Sequence, residues 1–251
     1  MKVRGLLAHI DSFAPFSLAE EWDNSGLLAG SYNAEVRKVA VCLDAVSEAV
    51  IEASNQGCNV LVTHHPLIFR PMKRLTDDSE QGRTLREAIR RDVNIIAAHT
   101  NWDKAPGGVN DTLAALLGLA ETESLADFGV VGVLRKPESA EAFMKRVMSA
   151  WGLSHIDCYG HTEEIMRAAL CGGSGAEFWR EALHKKADIY LTADMKYHEI
   201  ADAVNEGLAI GLINHGEMER AAIPELARKI SECGTETVIL DVKALPSPLR
   251  M

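Results

Sequence analysis

Short apolar runs alternate with amphipathic segments along most of the chain. In the first half, KVAVCL (38–43), NVLVT (59–63) and VNIIAA (93–98) predict buried strands. Between them, SEAVIEASN (47–55) and residues 81–91 have the apolar spacing of helices. Strands that alternate with helices are typical of a parallel α/β sheet.

The remaining elements continue this alternation. A helix is predicted over residues 2–13, a loop and a short strand over WDNSGLLAG (22–30), and a helix over residues 109–117. In the second half, strands are predicted over residues 130–134, 155–159, 166–171, 189–192, 208–213 and 236–242. Helices are predicted over residues 140–151, from Ala176, from Tyr197 and over residues 218–233.

An internal repeat relates the two halves. Residues 39–65 align without a gap with residues 168–194, and the strand that follows repeats as well. The matched pairs are Cys42 with Cys171, Thr63 with Thr192, His99 with His215, and Asp103 with Glu219. We therefore predict two related, mostly parallel α/β half-domains, residues 1–126 and 127–251, with a C-terminal strand or helix packing back on the first half. Residues 127–164 have no counterpart and look inserted.

Histidines and carboxylates cluster where three of the predicted strands end. Ligands bind beyond the carboxyl ends of parallel strands, and a mixture of imidazole and carboxylate suits zinc, manganese, iron, cobalt or nickel. Five such donors are more than a closed tetrahedral site needs. They fit two divalent ions about 3.5–4 Å apart. The predicted metal ligands, in a site between the two halves, are His64, His65, Asp103, His215 and Glu219.

Two further residues at these strand ends are candidates for proton transfer. His99 matches His215 in the repeat, so it is either a metal ligand or a group that faces a ligand or the substrate. Glu217 lies between two predicted ligands, and it shares the candidate catalytic role with His99. His198, inside a predicted helix, either lines the cleft or is structural.

Phosphate-binding candidates lie in a glycine-rich segment and a basic loop. The CGGSG segment (171–175), with Gly173 and Ser174, follows a strand and precedes a helix, so its amides could hold a phosphate; the alternative is tight packing of the strand on the helix. It lacks the GxGxxG and Walker patterns. Lys73 and Arg74 are further candidate substrate contacts.

Composition limits the classes of partner. With 36 acidic against 26 basic residues, the formal charge of -10 argues against broad binding to nucleic acid or anionic membranes. No run approaches the ~18 apolar residues of a membrane span, and His9 and Asp11 interrupt the only signal-like stretch. The five cysteines form no CxxC pair, which predicts buried free thiols in a cytoplasmic protein.

These motifs resemble those of the GTP cyclohydrolase 1 type 2 homologue family, also called the Nif-three-like family, whose members hold dinuclear metal centres. The matching segments occur in the family's order and span nearly the whole chain: WDNSGLLAG, LVTHHPLIFRPMKRL, AAHTNWDKAPGGVNDTLA, CGGSGAEF, ADIYLTADMKYHE and INHGEMER. The resemblance implies that the five predicted donors are the metal ligands. It also implies a toroidal homohexamer, a trimer of dimers, in the short form without an inserted ferredoxin-like domain.

The function implied by this resemblance is metal-dependent hydrolysis of a nucleotide or a related small phosphorylated molecule, such as GTP ring opening. The alternative is a non-catalytic metal-binding scaffold or metallochaperone, which would hold exchangeable metal without turnover. The acidic charge gives no support to a ring that threads single-stranded DNA.

Overall fold

The computed structural model describes residues 1–245, which form two compact units with one sheet each. The first unit comprises Met1–Pro106 together with residues 223–245, and the second comprises Gly107–Ala222. The division therefore differs from the expected boundary after residue 126, because residues 107–126 belong to the second unit. The chain then returns to the first unit, where its last described strand joins the sheet.

Eleven strands and ten α-helices make up the described chain. The strands are β1 (Gly26–Ala29), β2 (Val39–Cys42), β3 (Val60–Thr63), β4 (Asn94–Ala97), β5 (Ala120–Leu125), β6 (Gly129–Ser139), β7 (Ile156–Tyr159), β8 (Glu164–Ser174), β9 (Ile189–Ala193), β10 (Ala209–Ile213) and β11 (Thr237–Ile239). The helices are α1 (Val3–Phe13), α2 (Ser47–Asn55), α3 (Glu80–Arg91), α4 (Thr100–Lys104), α5 (Val109–Leu116), α6 (Ala140–Trp151), α7 (Trp179–His184), α8 (Tyr197–Asn205), α9 (His215–Arg220) and α10 (Ile223–Ser231).

The sheet of the first unit has the order β1-β4-β3-β2-β11. Strands β2, β3, β4 and β11 are parallel, and β1 pairs with β4 in the antiparallel direction. Every residue of β2, β3 and β4 is buried, as expected for parallel strands covered on both faces. The carboxyl ends of β3 and β4 are adjacent, so the residues that follow these two strands lie close together.

The sheet of the second unit has the order β5-β6-β8-β9-β10-β7. Its central strands β8, β9 and β10 are parallel, whereas β5, β6 and β7 pair in the antiparallel direction. Strand β9 is fully buried, and β10 is buried at four of its five positions. The insertion predicted near residues 127–164 contributes β6, α6 and β7 to this unit.

Strand pairing confirms that the two units are related. Val41 pairs with Val62, and the residues 129 positions later, Leu170 and Leu191, pair in the same register. The third strand departs from the repeat by one residue, because Thr63 pairs with Ala97 but Thr192 pairs with Leu212 and not with Ile213. The α/β fold with two related halves is therefore confirmed. The two halves differ by one residue in the register of the strands that precede His99 and His215.

One predicted helix and one strand that was not predicted distinguish the structure from the expected elements. The single helix expected over residues 218–233 is two helices, α9 and α10, which are separated by Ala221 and Ala222. Pro224 lies in the first turn of α10, the part of a helix that tolerates a residue without an N–H. Strand β5 was not predicted, since five of its six residues are exposed and it lacks an apolar run.

The cysteines and the helices also bear on the predictions from composition. All five cysteines are free thiols, three are buried, and burial raises the pKa of Cys42 to about 12. Cys158, however, is exposed. Within residues 1–245, no helix combines the length and the apolar character needed to cross a membrane.

Candidate metal centre

The end of β3 places two adjacent imidazoles in the first unit. His64 is fully buried, and its Nδ1 lies 2.9 Å from the carbonyl oxygen of Ala98, just beyond β4. His65 Nδ1 lies 2.7 Å from Oδ1 of Asp44, which follows β2. The two rings lie 5.1 Å apart between centroids. Each histidine is therefore oriented by a neighbouring parallel strand.

A third imidazole, His99, lies at the N-terminus of α4 and is oriented by Asp23. Its Nδ1 lies 2.7 Å from Oδ1 of Asp23, and Oδ2 of Asp23 accepts hydrogen bonds from the amide (3.1 Å) and the hydroxyl (2.6 Å) of Thr100. The Asp23 side chain is fully buried. Burial alone would raise its pKa, but hydrogen bonds from His99, Thr100 and Asn24 outweigh this effect and hold the pKa well below its usual range. Asp23 is therefore ionised.

These three imidazoles form a metal-competent group with a nearby carboxylate. One ring nitrogen from each of His64, His65 and His99 lies within 4.8 Å of the others. Asp103, on α4, places Oδ1 3.6 Å from Nε2 of His64. The structure thus brings together the predicted donors of the first unit and includes His99 with them.

The hydrogen bonds also determine which nitrogen each ring offers. A carboxylate or a carbonyl can only accept, so the Nδ1 atoms of His64, His65 and His99 donate, and Nε2 of each neutral ring carries the lone pair. An imidazole that donates its Nδ1–H to such an acceptor and presents Nε2 is the usual arrangement of a metal-ligating histidine. The donor set of the first unit therefore fits a divalent metal ion.

The second unit holds a smaller donor pair at the start of α9. Nε2 of His215 lies 3.0 Å from Oε2 of Glu219, one helical turn later, and its Nδ1 lies 2.7 Å from Oδ2 of Asp194. The same Oδ2 accepts a 2.6 Å hydrogen bond from the Ser174 hydroxyl. Partial burial would raise the pKa of Asp194, but the bonds from His215 and Ser174 lower it overall. Asn214 caps the helix by accepting from the amide of Glu217 at 3.1 Å.

Gly173 approaches this donor pair more closely than any side chain would permit. It has a φ of +67°, and a Cβ at this position would lie 2.4 Å from Oε1 of Glu219 and 3.2 Å from Nε2 of His215. Glycine is therefore required here both for its left-handed backbone and for space. Gly173 and Ser174, predicted as substrate contacts, lie against His215 and its partner Asp194.

Two amides of the CGGSG segment are used inside the unit. The amide of Gly172 donates to Oδ1 of Asn110 at 2.7 Å, and the amide of Gly175 donates to the hydroxyl of Thr192 at 3.1 Å. A phosphate would have to compete with these bonds. The geometry favours the packing interpretation of this segment over the phosphate cradle.

The remaining predicted site residues have different surroundings. Glu217 is 6% exposed, and its carboxylate accepts hydrogen bonds from the amide (3.0 Å) and the hydroxyl (2.9 Å) of Ser154. These contacts favour an anchoring role over proton transfer. Lys73 and Arg74 are exposed in the segment between β3 and α3, and His198 lies on α8 in edge-to-face contact with Tyr197.

The three aspartates that orient the histidines were not among the predicted site residues. Asp44 follows β2 at the sheet edge that carries the donors, and the strand-end argument applied to β2 would have found it. Asp194 occupies the repeat position of His65. Asp23 lies 76 residues before its partner in the chain, so only the fold shows that the two meet.

Comparisons with known proteins show the family of the chain and agree with its fold. A family model described as Duf34/NIF3 (NGG1p interacting factor 3) matches residues 1–246. A Lactococcus lactis protein named GTP cyclohydrolase 1 type 2 homolog is 37% identical over 237 residues, which are 92% of this chain and 91% of the relative. A Helicobacter pylori protein named GTP cyclohydrolase 1 type 2 is 32% identical over 87% of each chain. The fold matches a solved Bacillus cereus protein related to NIF3 with a TM-score of 0.95 at 24% identity, over 100% of this chain and 99% of that one.

Proposed function

The chain belongs to the Duf34/NIF3 family, as its motifs indicated, and on that premise we propose that it is a metal-dependent hydrolase of a nucleotide or a related small phosphorylated molecule. The proposed cofactor is a pair of divalent ions, drawn from zinc, iron, manganese, cobalt and nickel. The proposed ligands are His64, His65, Asp103, His215 and Glu219.

The observation that carries this proposal is the set of tethered imidazoles. His64, His65 and His99 gather ring nitrogens within 4.8 Å, and each of them donates through Nδ1 to a carbonyl or a carboxylate. Such bonds fix the orientation of a ring before metal arrives and raise its basicity. The pair His215 and Glu219 in the second unit has the same kind of tether, through Asp194.

The chemistry of hydrolysis supplies the reason for two ions. When bound, such a pair lowers the pKa of a water molecule at the site to near neutrality and polarises the bond under attack. His99, which is not one of the five proposed ligands, is placed to accept a proton at Nε2. The Asp23 carboxylate accepts a hydrogen bond from Nδ1–H of His99 and stabilises the ring when it becomes charged. Lys73 and Arg74, which are exposed in the segment after β3, are the proposed phosphate contacts.

The proposed assembly follows the family resemblance, and the proposed location follows the free cysteines. We propose a cytoplasmic homohexamer that acts on a small-molecule substrate and does not bind membranes or nucleic acid. Size-exclusion chromatography with light scattering tests the hexamer directly. A mass other than six times 27.3 kDa contradicts it.

The hydrolase proposal is tested first by metal content and then by turnover. Protein purified without added metal or chelator is assayed for bound metal and offered a panel of nucleotides that includes GTP. We expect turnover that is lost in Asp103→Ala and kept in His184→Ala, the control, whose imidazole is exposed on α7. If Asp103→Ala loses metal but no nucleotide reacts with the native protein, the chain is the alternative, a non-catalytic metal scaffold.

A further inference from the structure

Two large aromatic side chains are exposed beside the histidines of the first unit. Trp22 is 58% exposed and Phe69 is 44% exposed. Exposed apolar surface of this kind marks ligand-binding or interaction sites. The other three tryptophans of the chain, Trp102, Trp151 and Trp179, are at most 3% exposed, so Trp22 is the exception.

The two rings are held in a defined arrangement with His99. The centroids of Trp22 and Phe69 lie 5.8 Å apart at an interplanar angle of 67°. Each also meets the His99 ring edge to face, at 6.4 Å and 6.2 Å respectively. These contacts have the geometry that aromatic pairs prefer. Trp22 and Phe69 therefore form an exposed pair of rings, the aromatic corner, and both rings contact His99 of the imidazole group.

Hydrogen bonds fix the two loops that carry this corner. The side-chain amide of Asn24, two residues after Trp22, donates to the carbonyl oxygen of Ile68, the residue before Phe69, at 2.5 Å. Asp23, adjacent to Trp22, has a fully buried side chain that is bonded to His99. The aromatic corner is thus preorganised, which lowers the entropy lost when a ligand binds.

We propose that Trp22 and Phe69 bind the planar heteroaromatic ring of the substrate, such as a nucleobase, beside the metal group. This inference rests on the proposed function. An aromatic face binds any base by stacking, and a ring at this corner lies next to the imidazole of His99. The exposed guanidinium of Arg70, which follows Phe69, supplies positive charge for an attached phosphate. The corner therefore selects substrates that combine a flat ring with negative charge.

Tryptophan fluorescence offers a direct test, because a quencher such as acrylamide reaches Trp22 and not the three buried tryptophans. The native, metal-loaded protein is titrated with GTP, and separately with inorganic triphosphate, which carries the charge but has no ring. We expect GTP to protect Trp22 from acrylamide and inorganic triphosphate to leave quenching unchanged. Equal protection by the two probes would overturn the proposal, because charge alone would then account for binding.

Variants measure the contribution of the rings. Trp22→Ala and Phe69→Ala are expected to weaken GTP binding about 5- to 150-fold, the range of stacking on one aromatic side chain, while Trp22→Phe keeps most of the affinity. Tyr32→Ala is the matched control, since Tyr32 is 57% exposed in the same unit. Binding is measured by calorimetry, with metal content determined for each variant.

The outcomes separate this inference from the proposed function. If GTP turns over and Trp22→Ala binds and hydrolyses it like the native protein, the ring site is wrong while the hydrolase stands. If GTP protects Trp22 but no nucleotide on the panel reacts, the ring site stands while the hydrolase is wrong. If Trp22→Ala instead changes the oligomeric state and leaves GTP affinity unchanged, the corner is a contact between copies of the chain and the inference fails.

Discussion

The two units use the same position of the repeat for different purposes. In the first unit, the residue two positions after Thr63, which matches Thr192 in the repeat, is His65, a donor in its own right. In the second unit, the corresponding residue after Thr192 is Asp194, which orients the donor His215. The first unit therefore gathers three imidazoles, of which His64 is buried, and the second presents one imidazole that is one-third exposed.

This difference shows what a duplicated fold preserves. Both units retain the edge of the sheet where parallel strands end, and that edge collects polar groups from several loops. The identity of the groups is not retained, because both residue types have a role at a metal site. A histidine can be the ligand, and an aspartate can accept the hydrogen bond that orients a ligating imidazole. Substitutions at the donors and at the residues that orient them test this difference.

Removal of the donors distinguishes the buried site from the exposed one. His64→Ala is expected to lose metal and to lower the free energy of unfolding by about 1–3 kcal/mol, because the buried carbonyl of Ala98 loses its donor. His215→Ala is expected to lose metal with little change in stability, since its ring is one-third exposed. Metal analysis and urea denaturation measure the two effects. Equal destabilisation by the two variants would contradict the comparison.

Gly173 provides a test specific to the second unit. In Gly173→Ala the new Cβ displaces the carboxylate of Glu219, so metal bound by His215 and Glu219 is expected to be lost. Gly152→Ala is the matched control, because Gly152 has a similar φ of +65° but open space around its Cβ position. Both variants should lose about 1–2 kcal/mol from the left-handed backbone. Metal loss in both, or in neither, would show that the close approach has no bearing on binding.

The orienting aspartates are expected to matter unequally. Asp194→Ala removes the tether of the only imidazole donor in its set, so metal affinity should fall toward the upper end of a 10–100-fold range. Asp44→Ala affects His65, one of three proposed ligands in the first unit beside His64 and Asp103, and its effect should lie near the lower end. Asp157→Ala, which breaks a similar 2.7 Å pair with His155 next to β7, is the control and should leave affinity unchanged. Competition with a chelator of known affinity measures all three.

Acid should affect the two orienting carboxylates at different pH values. The pKa of Asp23 and the pKa of Asp194 are both below the ordinary value of about 4, so each contributes stability that is complete above that value. That contribution is lost as the pH falls through the folded-state pKa. Because the pKa of Asp23 is lowered more than the pKa of Asp194, the contribution of Asp23 to the free energy of unfolding should persist to lower pH. Urea denaturation of the metal-free native protein, Asp23→Asn and Asp194→Asn from pH 6 down to about 2 tests this order. Each contribution is the difference in the free energy of unfolding between the native protein and the variant, and a reversed order would contradict the prediction.

Sequence patterns predicted the parts of this molecule that depend on local chemistry. The central strands were found because they are continuous apolar runs, and the donors were found because strand ends collect ligands. The polar strand β5 was missed, and the break between α9 and α10 was missed although Pro224 marks it. The pairing of Asp23 with His99 depends on two loops meeting across 76 residues of chain, and no local pattern encodes such a meeting.

The bond from His64 to the carbonyl of Ala98 has a consequence for transplanting this site into another protein. The pairs of Asp44 with His65 and of Asp23 with His99 are made by side chains, so each can be installed or removed by point substitution. His64 is held by the main chain, and no single substitution at residue 98 deletes a carbonyl. A designer who copies the site must therefore copy two adjacent parallel strands in register, since a backbone carbonyl is the group that orients His64.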